Sequence, residues 1–294
     1  MSSTVVTYPI VTALVEAEKI LGPDRQWKPI NEMQTRFLKE YFAACRHDKV
    51  PEIESLASWD AAEISTFLAQ RGFHIEVPPF EPLKFGTASV LNLLVVWAGD
   101  PQATVIRTGL FWLRKFPAVR IPSGHVRFFR SPAHGNPIAW VSTKSGDGVY
   151  FTMHRKPTNG FDLVAKVQEF SRNRRYVDEF KDLVFPMIKL DHGVDINWLA
   201  GMETTELHDQ PAWIEQAIQQ TRLRVNEVGA RAESAVLFCP AITSALFPSW
   251  HRPKPDHVIK RPFLIWFERK GLSKPLFVGH ITKDEWKNPG DFSK

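Results

Sequence analysis

Val225-Asn226-Glu227-Val228-Gly229-Ala230-Arg231-Ala232 runs from strand-like sequence into a glycine and a string of small residues. Beyond a loop the chain resumes as Arg261-Pro262-Phe263-Leu264-Ile265-Trp266-Phe267, and then as Pro275-Leu276-Phe277-Val278-Gly279-His280-Ile281. The order predicts a strand, a hinge of small residues, a long exposed loop and a buried strand pair. Arg269-Lys270-Gly271 supplies the turn between the last two runs. Their length and apolarity predict adjacent antiparallel strands in a core.

The composition is that of an ordinary globular protein, with 44% hydrophobic and 23% charged residues in 294. That length holds one large core or two modest ones. Ten tryptophans and 21 phenylalanines supply ample apolar area to bury. The net charge is +5, from 37 basic and 32 acidic residues, so acidic partners are favoured only weakly. A dedicated nucleic-acid binder carries a denser basic stripe. The two cysteines, Cys45 and Cys239, exclude a disulfide framework and have no zinc-ligand spacing; they read as free thiols. Met1 to Pro9 lacks the basic segment and apolar run of a signal peptide. No stretch of 18 apolar residues offers a membrane span. These features predict a soluble chain with no membrane partner, cytoplasmic or released without a signal peptide.

Residues 1–84 read as a helical part. Ile10, Leu14, Ala17 and Leu21 share one helix face, which Gly22-Pro23 ends. Asn31 is placed to cap a second helix carrying Met33, Phe37, Tyr41 and Phe42. Asp60 is placed to cap a third, with Ile64, Phe67 and Leu68, that stops at Gly72. Pro78-Pro79-Phe80-Glu81-Pro82 reads as a turn or linker. Residues 85–294 then read as a sheet core. Ser89 to Trp97 is an almost unbroken apolar run, which a doubly covered strand and a buried helix satisfy equally. Val126 to Phe129, Pro137 to Val141 and Val149 to Met153 are strand-length runs parted by turn residues, a meander pattern. A helix is expected from about Phe161 to Phe170.

Several of these segments resemble the serpins, and they stand in that family's order. Leu183-Val184-Phe185-Pro186-Met187-Ile188-Lys189-Leu190 is similar to the family's proline-bearing strand, and Asp195 to Met202 to the short helix after it. Ile214 to Glu227 resembles the strand that leads into Val-Asn-Glu-Glu-Gly. Arg261 to Phe267 resembles the C-terminal signature, departing from it at His257 and Lys260. Lys144 to Phe151 is similar to the family's Pro-Tyr-Lys-Gly-Asp segment. The likeness spans residues 140–294. Asn92 is similar to the asparagine of a central sheet strand, although Phe85 to Gly99 also resembles the family's second helix. Residues 1–84 show no match. The resemblance implies an α+β fold, serpin-like in its mixed sheets, with a shortened N-terminal helical part.

The resemblance also implies a mechanism. A protease cuts an exposed loop, and the hinge then inserts as a new strand of the main sheet, forming a hydrogen-bond ladder. The expected hinge is Glu227, Gly229, Ala230, Ala232 and Ser234, with Gly229 as a flexible pivot. An inserting strand needs small or apolar residues at every second position. Ala230, Ala232, Ser234, Val236 and Phe238 form that inward set, and Arg231, Glu233, Ala235 and Leu237 the outward one. Arg231 and Glu233 interrupt the alanine run of inhibitory members, and Pro240 cannot donate to a ladder. The candidate reactive loop is 238–256. Counting at the family's spacing sets the scissile bond at Thr243-Ser244, with Phe247 as its far limit. The apolar sequence Ala241 to Phe247 suits an elastase-, subtilisin- or chymotrypsin-like pocket, so the implied partner is a serine or cysteine protease. No aspartate precedes the bond, which disfavours a caspase. The family implies no cofactor and no metal.

No Gly-x-Ser-x-Gly, His-Glu-x-x-His, phosphate-binding glycine loop or dinucleotide fingerprint is present, so the sequence carries no catalytic motif of its own. Arg107, Arg114, Lys115, Arg120, Arg127 and Arg130 are interleaved with Phe111, Trp112, Phe128 and Phe129. Such interleaving fits a polyanion site with Arg114, Lys115, Arg120, Arg127 and Arg130 as contacts. Strands whose arginines face water and whose aromatics face the core are the plainer reading of the same interleaving. Two functions follow: a protease inhibitor acting through a reactive loop, or a non-inhibitory serpin-like protein that binds another protein or a polyanion.

Overall fold

Helices begin where the sequence marks them. Asn31 Oδ1 accepts a hydrogen bond from the Gln34 N–H at 2.9 Å, and Asp60 Oδ1 from the Ala62 N–H at 2.8 Å. Gly22, at φ +118°, ends the first helix and donates its N–H to the Glu18 carbonyl. The structure is a computed structural model that describes residues 1–22, 26–75, 77–80, 85–109, 113–204, 212–214, 217, 219–231 and 254–290.

In chain order the elements are β1 (Ser3–Val5), α1 (Thr7–Leu21), β2 (Trp27–Lys28), α2 (Glu32–Phe37), a π-helical turn (Leu38–Phe42), α3 (Ala43–Cys45), β3 (Ile53–Ser58), α4 (Ala61–Gln70), β4 (Gly86–Leu91), β5 (Leu94–Val96), β6 (Gln102–Thr108) and β7 (Arg114–Ile121). There follow β8 (Val126–Ser131), β9 (His134–Ser142), β10 (Gly148–Met153), α5 (Gly160–Ser171), β11 (Arg175–Val177), β12 (Leu183–Pro186), β13 (Ile188–Val194), β14 (Glu203–Thr204), β15 (Gln219–Val225), β16 (Gly229–Arg231), β17 (His257–Val258), β18 (Phe263–Glu268) and β19 (Phe277–Ile281).

Three sheets carry the fold. The first has seven strands in the order β1-β19-β18-β10-β9-β8-β11, the second is β17-β12-β7-β6, and the third is β13-β15-β16-β5. Two further pairs among the described residues are β14-β2 and β3-β4. The C-terminal apolar runs pair antiparallel, Phe263 opposite Ile281 and Phe267 opposite Phe277. Both strands are buried, and Phe263, Ile265, Trp266 and Ile281 are fully enclosed. The meander is β8-β9-β10, and β10 pairs with β18 along six positions from Gly148 to Met153.

The run Ser89 to Trp97 is extended, which settles its ambiguity. It holds the end of β4 and all of β5, broken at Asn92 and Leu93, and Trp97 bridges to Thr143. Residues 1–84 supply strands as well as helices. β1 adds to the seven-stranded sheet beside β19, and β3 pairs with β4 from Ile53–Leu91 to Ser58–Gly86. α1 and α4 lie on opposite faces of that pair. Thr87 Oγ1 donates to the Ala13 carbonyl of α1, whereas Ala88 and Val90 pack on Ile64 and Leu68 of α4. Among the described residues no helix is long and apolar enough to cross a membrane.

Candidate functional site

The segment expected to act as a hinge begins at a tight turn built on Asn226. Its Oδ1 accepts from the Val228 N–H at 2.8 Å and the Gly229 N–H at 3.3 Å, and its own N–H donates to the Gly229 carbonyl at 2.9 Å. Its carbonyl accepts from Trp97 Nε1 at 2.9 Å. Trp97 is itself buried, edge-on to Phe185. The turn sends the chain back as β16, which lies between β15 and β5. Val225 pairs with Ala230 on one side, and Val95 pairs with Ala230 on the other.

Of the residues expected to form a hinge, Glu227 is half-buried in the turn, and Gly229 and Ala230 are buried in β16. Gly229 does not have a positive φ. Its glycine is required instead by contact, because an added Cβ would stand 2.2 Å from the Val95 carbonyl oxygen. Ala232, Ser234, Thr243, Ser244 and the rest of the loop to residue 253 lie outside the described residues.

A groove continues from the end of β16 between two unlike walls. One wall is β15, from Gln219 to Arg224; the other is β4, from Gly86 to Leu91. Leu14 and Ala17 of α1 form its floor, with Phe267 and Phe277 deeper, while Phe73 and Leu68 lie on the α4 side. The cavity measures about 1470 Å³. Small-molecule sites run to about 1,000 Å³, so the groove suits something longer. Among the described residues β4 pairs with β3 alone and β15 with β13 and β16, so beyond Arg231 no ladder joins the facing edges of β15 and β4. An extended segment laid there would find main-chain partners on both sides.

The five basic residues expected at a polyanion site are divided between two sheets. Arg114 and Lys115 lie exposed at the start of β7, with Arg107 of β6 opposite Lys115. Arg120, on the same strand, is held by Asp182 at 2.9 Å and Asp256 at 2.8 Å. Arg127 of β8 lies over the Trp140 ring at 5.3 Å. Arg130 pairs with Glu179 at 2.6 Å and donates to the Gly135 carbonyl. Arg107 and Lys115 therefore share one face of the β6–β7 pair and Arg114, opposite Thr108, lies on the other, while Arg120 and Arg130 are engaged by carboxylates. Sequence reading gave Asn226 no role beyond its motif and missed Trp97; an Asn three residues before a glycine is a turn signal that points to the former.

Solved structures of the same architecture cover nearly the whole chain. Serpin48 from the insect Tenebrio molitor superposes with a TM-score of 0.54 at 12% identity, over 96% of this chain and 92% of that one. The chain has the serpin fold. SRPN18 from Anopheles gambiae gives 0.51 at 14% identity, over 96% and 92% of the two chains. Thyroxine-binding globulin in complex with thyroxine gives 0.52 at 11% identity, over 95% and 92%. No family model matches the sequence, and no curated protein matches it either. The serpin fold is thus carried by topology at an identity that leaves function open: a highly specific serpin and a thyroxine-binding globulin share it with this chain.

Proposed function

We propose that the protein inhibits a serine or cysteine protease by offering the loop 238–256 and then admitting the hinge between β15 and β4. The observation that carries this is the position of β16, already laddered to β15 and β5 at the head of a groove. The protease nucleophile attacks the Thr243 carbonyl, an ester forms with a serine or a thioester with a cysteine, and Ser244 leaves as a new N-terminal amine. Residues after Arg231 then extend β16, with Ala232 and Ser234 following Ala230 on the inward face. The ladder bonds and apolar burial gained there drive the step, and the acylated protease is carried with the strand. The chain needs no catalytic group of its own in this scheme.

Incubation with an elastase-like or subtilisin-like protease tests it. The expected product is a complex that survives SDS, which reports the trapped acyl-enzyme. Clean nicking between Pro240 and Trp250, with no such complex for any protease, contradicts inhibition.

A second reading is favoured by one observation, the exposed Arg107, Arg114 and Lys115 at the edge of the β17-β12-β7-β6 sheet. A non-inhibitory protein of this fold would bind a polyanion there. Retention on immobilised heparin that falls steeply with salt, and that is lost on Arg114→Ala with Lys115→Ala, is its expected signature.

A further inference from the structure

Arg222 reaches from one wall of the groove to the other. It stands on β15 between Thr221 and Leu223, which are buried on the α1 side, so Arg222 belongs to the α4 side. Its Nη1 donates to the Gly72 carbonyl oxygen at 2.6 Å. Its guanidinium lies 4.6 Å from the centroid of the Phe73 ring. Gly72, at φ +77°, ends α4, and its N–H and that of Phe73 close the last turn on Ala69 and Leu68. α4 rides on β4 through Ile64, Leu68, Ala88 and Val90, with Phe73 packed against them. At its other end the guanidinium is anchored to its own wall: Nε donates to Asp191 Oδ2 of β13 at 2.9 Å. Gln220 Nε2 holds the second oxygen of that carboxylate at 2.7 Å.

We propose that Arg222 is a strap across the groove that restrains strand insertion. The proposal rests on the insertion mechanism above and assigns its regulation. A strand laid between β15 and β4 directs every second side chain to the α4 side. That space is where the guanidinium, Gly72 and Phe73 now meet. An inserted strand also lies about 4.8 Å from each neighbour, so its two neighbours must stand about 9.6 Å apart. Because Asp191 fixes the arginine to β13, the guanidinium cannot follow α4 as α4 moves with β4. The Gly72 contact must therefore break before the strand seats, and its strength adds to the barrier and not to the final state. Arg222 is a positioning residue here: it touches no protease and takes no part in acyl transfer.

The test uses the intact protein and a fluorescein-labelled synthetic peptide with the sequence of residues 230–243, followed by fluorescence anisotropy. Arg222→Gln keeps the side-chain stem and loses the charged fork. It is expected to take up the peptide about tenfold faster than wild type, the factor set by loss of one charge-assisted hydrogen bond in the closed state, and to a final extent no smaller than wild type's. Asp191→Asn keeps Arg222 but frees its anchor, and should accelerate uptake less, in the same direction; it carries the test if Arg222→Gln does not fold. Equal rates for wild type and both variants overturn the strap while insertion stands. Uptake by neither wild type nor variant overturns insertion itself, and the strap with it.

Discussion

At Gly229 the sheet leaves no room for a side chain. The Val95 carbonyl oxygen would lie 2.2 Å from an added Cβ, and a backbone atom cannot swing aside as a side-chain tip can. Gly229→Ala should cost roughly 1–3 kcal/mol, or detach β16, and urea unfolding with amide exchange at Val96 distinguishes the two. Ala230 is 2% exposed between Val225 and Val95. Ala230→Arg should cost about 3 kcal/mol or more, because its charge would be buried among valines without a partner. Loss of exchange protection in β5 and β15 is the measurement; an unchanged protection pattern would contradict this packing. The inward place of Ala230 was legible from period-two spacing. The need for Gly229 was legible only as a glycine. Flexibility was the expected reason, and close approach to Val95 is the structural one, which no single-chain pattern encodes.

Among the elements, the β18–β19 hairpin and the β8–β9–β10 meander were legible because their runs are long and apolar. β3 was not, since Glu54, Ser55 and Ser58 dilute its pattern and its pairing with β4 is made across the chain. β2 and β14 are two-residue strands whose only signal is each other. The hairpin is tied to β3 by Arg269. Its Nη1 and Nη2 reach Glu52 at 2.8 and 2.6 Å, and its Nε reaches buried Asp147 at 2.8 Å. The same guanidinium holds the Glu52 carboxyl below its usual range. Arg269→Gln should destabilise the fold by roughly 3 kcal/mol, because Asp147 is left buried without its counter-ion; urea denaturation at neutral pH reads this directly. β17 carries a pH dependence. The His257 ring sits between Phe128 and Phe180, its Nε2 has no hydrogen-bond partner among the described residues, and Arg130 lies near enough to oppose its charge. Burial pushes its pKa down from 6.5 to about 4. The unfolded chain therefore binds the proton first on acidification. The stabilisation is complete above about pH 6.5 and is lost as pH falls through about 4, on the order of 3 kcal/mol. His154, lowered to about 4 by burial and by His134 and His280, adds to the same slope. His257→Phe should flatten the dependence of stability on pH between 4 and 6.5 by up to one proton; an unaltered slope would contradict the burial.

At the scale of the whole molecule, the resemblance over residues 140–294 pointed to the architecture that the structure shows across the full chain. The N-terminal part was the illegible portion, because its helices cap and stop by general rules that many folds share. What it contributes is positional. α1 lies under the groove, α4 lies on the other side of β4, and β3 backs that wall. These pieces leave β15 and β4 facing each other with β16 begun between them. On the proposed mechanism this gap is filled by the hinge strand when the loop is cut. The direct measurement is the melting temperature before and after a single cleavage between Pro240 and Trp250. In a chain of this size each kcal/mol of stability shifts the midpoint by about 2 °C. Insertion of a full strand should therefore raise it by more than about 10 °C. A melting temperature that stays the same or falls after cleavage would contradict the account.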